Sequence, residues 1–147
     1  MHPSVADDLN GLGSTCRAMG DMKRAKASFE EALQIDRAAL GARHPSALVR
    51  MNNLATVLRE LGEYDQAASL LDEAIAVAGA TLGADHPQMG VLLKNLGQLQ
   101  AVRGQHAKAR WCFESALGVF EKSLGPGHPY ARETTEQLTR LVGDPRS

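Results

Sequence analysis

Aromatic side chains are scarce in this chain, at 4% of 147 residues, although hydrophobic residues together reach 44%. A core can therefore be buried, but alanine and leucine must fill it, which favours closely spaced helices over a sheet sandwich. Cysteine is limited to Cys16 and Cys112, too few for a disulfide framework. No apolar run approaches the roughly 20 residues needed to span a bilayer. An excess of either charge is also missing: the formal net charge is -1 and the pI about 6.5, so no global field draws in nucleic acid or an acidic membrane surface. Met1-His2-Pro3-Ser4 has neither the basic start nor the apolar stretch of a secretory signal. A Gly-rich phosphate loop, a Cys-x-x-Cys pair and a Ser nucleophile motif are all absent. The expectation left standing is a cytoplasmic protein that is no enzyme, carries no cofactor or metal, and contacts neither nucleic acid nor membrane.

What the chain does have is a period. His-Pro recurs at His2-Pro3, His44-Pro45, His86-Pro87 and His128-Pro129, each 42 residues after the last. Gly20, Gly62 and Gly104 keep that register, as do Ala25, Ala67 and Ala109, then Ala32, Ala74 and Ala116, and finally Leu40-Gly41, Leu82-Gly83 and Leu124-Gly125. A fixed period of this length means stacked supersecondary units, not one closed globule. The repeats run over 2–43, 44–85 and 86–127, followed by a capping helix over 128–142 and a tail over 143–147.

Each unit reads as two helices. Proline suits the first helical position because its missing N–H would have no partner there, so the first helices are expected to open at Pro3, Pro45, Pro87 and Pro129, with the preceding His as N-cap. Apolar residues then follow at alternating spacings of four and three, the face of an amphipathic helix. They are Val5, Leu9, Leu12, Cys16 and Met19 in the first unit, and Ala47, Met51, Leu54, Leu58 and Leu61 in the second. In the third they are Met89, Leu93 and Leu96, after which the pattern breaks at Gln100 and Arg103. Helix one is expected to stop at Gly20, Gly62 or Gly104, since glycine tolerates the left-handed conformation of a helix end. The second helices bury Ala25, Phe29, Ala32, Leu33 and their counterparts; their small alanines let two helix axes come close. In the fourth unit Thr135 and Thr139 replace apolar or small residues, as a stack requires where it ends in water, and Gly143-Asp144-Pro145 stops the helix.

Leu54-Ala55 followed by Gly62, Tyr64, Ala67 and Ala74 resembles the tetratricopeptide repeat pattern, and Leu96-Gly97, Gly104, Ala109 and Ala116 repeat it, as do Leu12-Gly13, Gly20, Ala25 and Ala32. The 42-residue period, the Met51-Asn52-Asn53-Leu54-Ala55 run and the Leu-Gly-x-x-His-Pro joint are similar to the kinesin-light-chain type. The match departs where His106 stands in place of Tyr64. This resemblance implies an all-α right-handed α-α superhelix of three helix pairs and a capping helix, with the first helices lining a concave groove.

The four repeat histidines invite a metal. Each lies one repeat from the next, about 10 Å if helix layers stack at ordinary distances, and metal–nitrogen bonds of about 2 Å cannot bridge that gap. They read as joints, and His106 as an aromatic substitute. Cys16 and Cys112 are two repeats apart, beyond the roughly 7 Å Cα separation a disulfide allows, and read as small core residues.

The face of helix one turned away from the core carries what remains: Asn10, Ser14 and Arg17 in the first unit; Val49, Asn52, Asn53, Thr56 and Arg59 in the second; Lys94, Asn95 and Gln98 in the third. Asn costs a helix interior about half a kcal/mol relative to Ala, so Asn10, Asn52, Asn53 and Asn95 ask for a reason. Their amides can grip the backbone of an extended peptide; alternatively, they bond to the neighbouring repeat and hold the stack. The family also has a version that grips a terminal carboxylate with Lys and Arg, but Val91 and Asn95 occupy two of its basic positions. The expected function is a protein-interaction module that takes a peptide or helix segment in the groove. The alternative is a scaffold segment of a longer repeat array or of a multidomain signalling protein, self-associating through the apolar start of its first repeat.

Overall fold

The computed structural model describes residues 3–41 and 43–143. His2, expected as a cap, and Asp144-Pro145, expected as a stop, lie outside them. The described residues form seven α-helices and no strand: α1 (Pro3–Ala18), α2 (Met22–Leu40), α3 (Ala47–Glu60), α4 (Tyr64–Thr81), α5 (Pro87–Val102), α6 (His106–Leu124) and α7 (Pro129–Val142). They fall into two compact units, Met1–Val77 and Ala78–Ser147. In the first, α2 packs against both α1 and α3; in the second, α6 packs against both α5 and α7. The second trio stands two sequence periods after the first, so the two can be compared position by position.

Close helix approach rests on glycine facing phenylalanine. A Cβ added to Gly13 would lie 2.6 Å from the Phe29 ring, and one on Gly97 would lie 2.8 Å from Phe113. Gly90 faces Phe120 in the same way, at 2.5 Å. The rings are buried, and each contributes roughly 1.5–3 kcal/mol of burial that a larger facing residue would obstruct. In the middle copy Ala55 and Leu71 stand at the positions of the glycine and the phenylalanine.

Helix ends follow the expected chemistry. Gly20 has φ +84°, Gly62 +80° and Gly104 +78°. At the first, the Asp21 N–H donates to the Cys16 carbonyl at 2.8 Å and the Gly20 N–H to that of Arg17 at 3.0 Å, the paired bonds of a Schellman ending. Nδ1 of His86 accepts from the Gln88 N–H at 3.0 Å, and Nδ1 of His128 from the Tyr130 N–H at 3.1 Å. These histidines are N-caps ahead of Pro87 and Pro129. His44 makes the same bond, to the Ser46 N–H at 3.2 Å, but α3 starts at Ala47 and not at Pro45. The intervening residues form turns, with the Ala47 N–H donating to the His44 carbonyl and the Leu48 N–H to that of Pro45, both at 3.0 Å.

One expectation about the core is corrected. Val5 is 36% exposed, Leu12 44% and Met19 80%. Of the series proposed for the first helix only Cys16 is buried and Leu9 partly so; α1 instead buries Ala6 and Gly13 against α2. The corresponding stripe of α3 is buried at Ala47 and Leu54 because α2 covers it, and no described helix of the first unit covers α1 there. Cys16 and Cys112 are buried and form no disulfide. In α7 Thr135 and Thr139 are exposed, as expected, while Thr134 is buried with its hydroxyl donating to the Tyr130 carbonyl at 2.7 Å.

Candidate interaction site

In the first unit, Asn10, Ser14 and Arg17 lie on α1, and Val49, Asn52, Asn53, Thr56 and Arg59 on α3. The two helices touch. The Asn53 side-chain N–H donates to Asn10 Oδ1 at 3.0 Å, so this pair does bond across the repeats. An amide with two N–H donors and an oxygen is not exhausted by one bond, and the stacking role leaves capacity for a ligand. Arg17 grips Glu60 in a fork, with Nη2 2.5 Å from Oε1 and Nε 3.0 Å from it. Arg50 reaches Asp7 at one end and Asp36 at the other, where Nε and Oδ2 stand 3.1 Å apart but out of line for a hydrogen bond. Thr56 turns its hydroxyl to the Asn52 carbonyl at 3.0 Å. Burial lowers the Arg59 pKa from its ordinary value; Glu60 opposes that shift and the like charge of Arg17 adds to it. Val49 is 47% exposed among these polar groups, and Ser14 is exposed.

In the second unit, Lys94, Asn95 and Gln98 lie half-buried on α5. Lys94 reaches Glu133 of α7 at 3.4 Å and stands 5.6 Å from the centre of the Tyr130 ring, close enough for a cation–π attraction. Beside Gln98 a cavity of about 300 Å³ opens between α5, the start of α6 and the end of α7. A cavity of about 480 Å³ in the first unit touches none of the groove residues and is walled by Glu30, Gln34, Arg37, Asp65 and Glu73, with Arg37 and Glu73 paired at 2.8 Å. Among the described residues no group of three or more His, Cys, Asp or Glu is placed to hold a metal ion, and no helix is long and apolar enough to cross a membrane.

Arg50 and Asp36 escaped the sequence reading. The register of Arg50 holds Asp8, Leu92 and Thr134, and that of Asp36 holds Ala78 and Phe120, so the repeat gave no signal for them. A carboxylate at Asp36 where the later copies carry Ala78 and Phe120 was the available clue.

The tetratricopeptide repeat model matches residues 5–80 and again 51–117. The chain belongs to the tetratricopeptide repeat family. Members of this TPR family are in general non-catalytic protein-interaction modules, and the fold is the all-α helix-pair class expected. No curated protein shows significant similarity to the chain. Among solved structures it is similar to the nearly identical TPR-like repeats of a candidate kinesin light chain from Podosopora anserina, at 25% identity and TM-score 0.86, over 96% of this chain and 67% of that one. BtubC (BKLC) from P. vanneervenii matches at 19% identity and TM-score 0.75, over 97% of this chain and 65% of that one. The first TPR of Spaghetti (RPAP3), bound to the HSP90 peptide SRMEEVD, matches at 14% identity and TM-score 0.69 over 98% of both chains. The chain is thus a TPR protein of the kinesin-light-chain-like type.

Proposed function

We propose that this TPR protein binds an extended internal segment of a partner protein along the face that α1 and α3 share. The observation that carries this reading is the composition of the α1 and α3 face. There the exposed Val49 is set among the amides of Asn10, Asn52 and Asn53 and the hydroxyls of Ser14 and Thr56. Apolar contact and paired donors and acceptors are what a peptide backbone with one small side chain requires. Charges on this face are mixed and mutually paired, Arg17 with Glu60 and Asp7 with Arg50, so a ligand of a single strong sign is disfavoured. Val91 and Asn95, at two positions that are basic in the carboxylate-gripping version of the family, argue against a chain-terminal carboxylate.

The test uses peptides selected from a random display library against the whole chain, with a photo-crosslinking residue at Val49 or at Ser14. Glu30, exposed on α2, serves as control. Crosslinks at the first two positions and weakened binding in Asn52→Ala support the groove. Crosslinking confined to the α2 position overturns it. Asn10 and Asn53 are left out because their mutual bond contributes to stacking.

A second reading, self-association, is favoured by Val5 and Leu12 lying exposed on one stripe of α1, with Met19 exposed just beyond its end. Sedimentation as a monomer at high micromolar concentration removes it.

A further inference from the structure

The cavity beside Gln98 differs in kind from the α1 and α3 face. Its walls are Ala101, Val102, Phe113 and Leu141, and His106, Gln137 and the exposed Arg140 also line it. Both ring nitrogens of His106 are buried without a hydrogen-bond partner among the protein's own groups, and so is Oε1 of Gln137. The Gln137 amide is oriented by its other end, since Nε2 donates to Glu133 Oε1 at 3.3 Å; the oxygen is therefore the end left over. A buried polar atom without a partner is destabilising, and two such groups lining one cavity of about 300 Å³ are poorly explained by packing alone.

Comparison of the two units explains how the cavity arises. Ala101 stands two periods after Arg17, His106 after Met22, Gln137 after Asn53, and Phe113 after Phe29. In the first unit Arg17 extends to Glu60, and the Asn53 amide is engaged by Asn10. The second unit keeps the phenylalanine wall, cuts the arginine back to a methyl group, and replaces a thioether with an imidazole. The space and the unpaired nitrogens are introduced together.

We propose that this cavity is a recessed subsite for a neutral side chain with an apolar stem and a tip that both donates and accepts a hydrogen bond, a hydroxyl or a carboxamide. Gln137 Oε1 needs a donor, which a carboxylate lacks. An imidazole with a single ring N–H offers one donor and one acceptor nitrogen, so a tip of both characters satisfies both groups. Of the charged groups at the cavity, Glu133, bound to the same amide, opposes an anion, whereas Arg140 is exposed to solvent, where water and salt screen its pull. The stem lies against Phe113, Val102 and Leu141. This subsite rests on the groove reading only in that a bound peptide would supply the side chain.

The test titrates the whole chain, followed by NMR of its amide and His106 imidazole signals, with four small probes that share a methylphenyl body: p-cresol, p-toluamide, toluene and p-toluate. Saturable shifts at His106 and Gln137 are expected with p-cresol and p-toluamide, and affinities about tenfold weaker with toluene and p-toluate, in line with the cost of an unmet hydrogen bond. His106→Phe should reduce p-cresol to the level of toluene. Ala101→Arg, which restores the residue of the first unit, should abolish binding of every probe with helicity unchanged by circular dichroism. His106→Phe decides the matter if Ala101→Arg misfolds. Toluene binding as tightly as p-cresol, p-toluate binding tightest, or no saturable shift at His106 with any probe each overturns the proposal. The probes have no peptide backbone, so their failure removes the subsite and leaves the groove reading intact, whereas loss of crosslinking at Val49 removes the groove alone.

Discussion

Phe113 fits because Gly97 has no side chain, and the consequence can be measured. Adding a methyl group by Gly97→Ala puts a carbon 2.8 Å from the ring, well inside contact distance, and overpacking of this kind costs about 1–3 kcal/mol. The variant is expected to unfold at lower denaturant concentration. Gly97→Ala combined with Phe113→Leu should recover most of the loss, because the middle copy already pairs Ala55 with Leu71 at these positions. Chevron or equilibrium denaturation curves of the two variants and the parent decide it. The small residues were legible in the sequence as a device for close helix approach. Which ring fills each gap was not, because that depends on the direction a side chain takes from a neighbouring helix. The same holds for Asn53: its type and position could be read, but the acceptor it would choose, Asn10 Oδ1, could not. The buried pair of Arg50 and Asp36 gives a second expectation. Arg50→Ala strands a carboxylate that is 2% exposed and should cost about 3–5 kcal/mol. The double change Arg50→Leu with Asp36→Ala, which copies Leu92 and Ala78 of the next period, should be neutral or stabilising, as replacing buried ion pairs with apolar residues often is.

For each helix, the boundaries were the most legible feature and the buried face the least uniform. The histidine joints act as caps: Nδ1 of His86 and of His128 accepts the N–H two residues on. His128→Ala should destabilise by about 1 kcal/mol, the usual worth of an N-cap, whereas His128→Asn retains an acceptor and should lose little; urea melts of both variants measure the difference. The second copy departs because Pro45-Ser46 forms a turn before α3, so the cap bond survives while regular helix begins later. The apolar face of α1 was assigned by analogy with α3, and periodicity assigns every copy the same surroundings. That assumption holds for Leu54, which α2 covers, and fails for Leu12, which is 44% exposed. A pattern within one helix reports which residues could be buried; burial itself depends on what packs there.

Across the whole molecule, the period was sufficient for the fold class, because every repeat reuses one set of helix ends and one set of small contacts. The candidate subsite was less legible, since the residues that distinguish the copies, Ala101, His106 and Gln137 among them, fall outside the shared pattern. Repeat architecture also predicts how damage spreads. In stacked helices each element is stabilised mainly by its neighbours, so stability is approximately a sum of local terms, and regions open separately when one set of local terms is weakened. Arg50→Ala removes an interaction that joins α3 to α1 through Asp7 and to α2 through Asp36. Hydrogen exchange followed by mass spectrometry should therefore show faster exchange over α1, α2 and α3, while α5, α6 and α7 keep the protection of the parent chain. Equal loss of protection in both sets of helices would mean that the two compact units unfold as one, and that the coupling between repeats exceeds the few kcal/mol removed by the substitution.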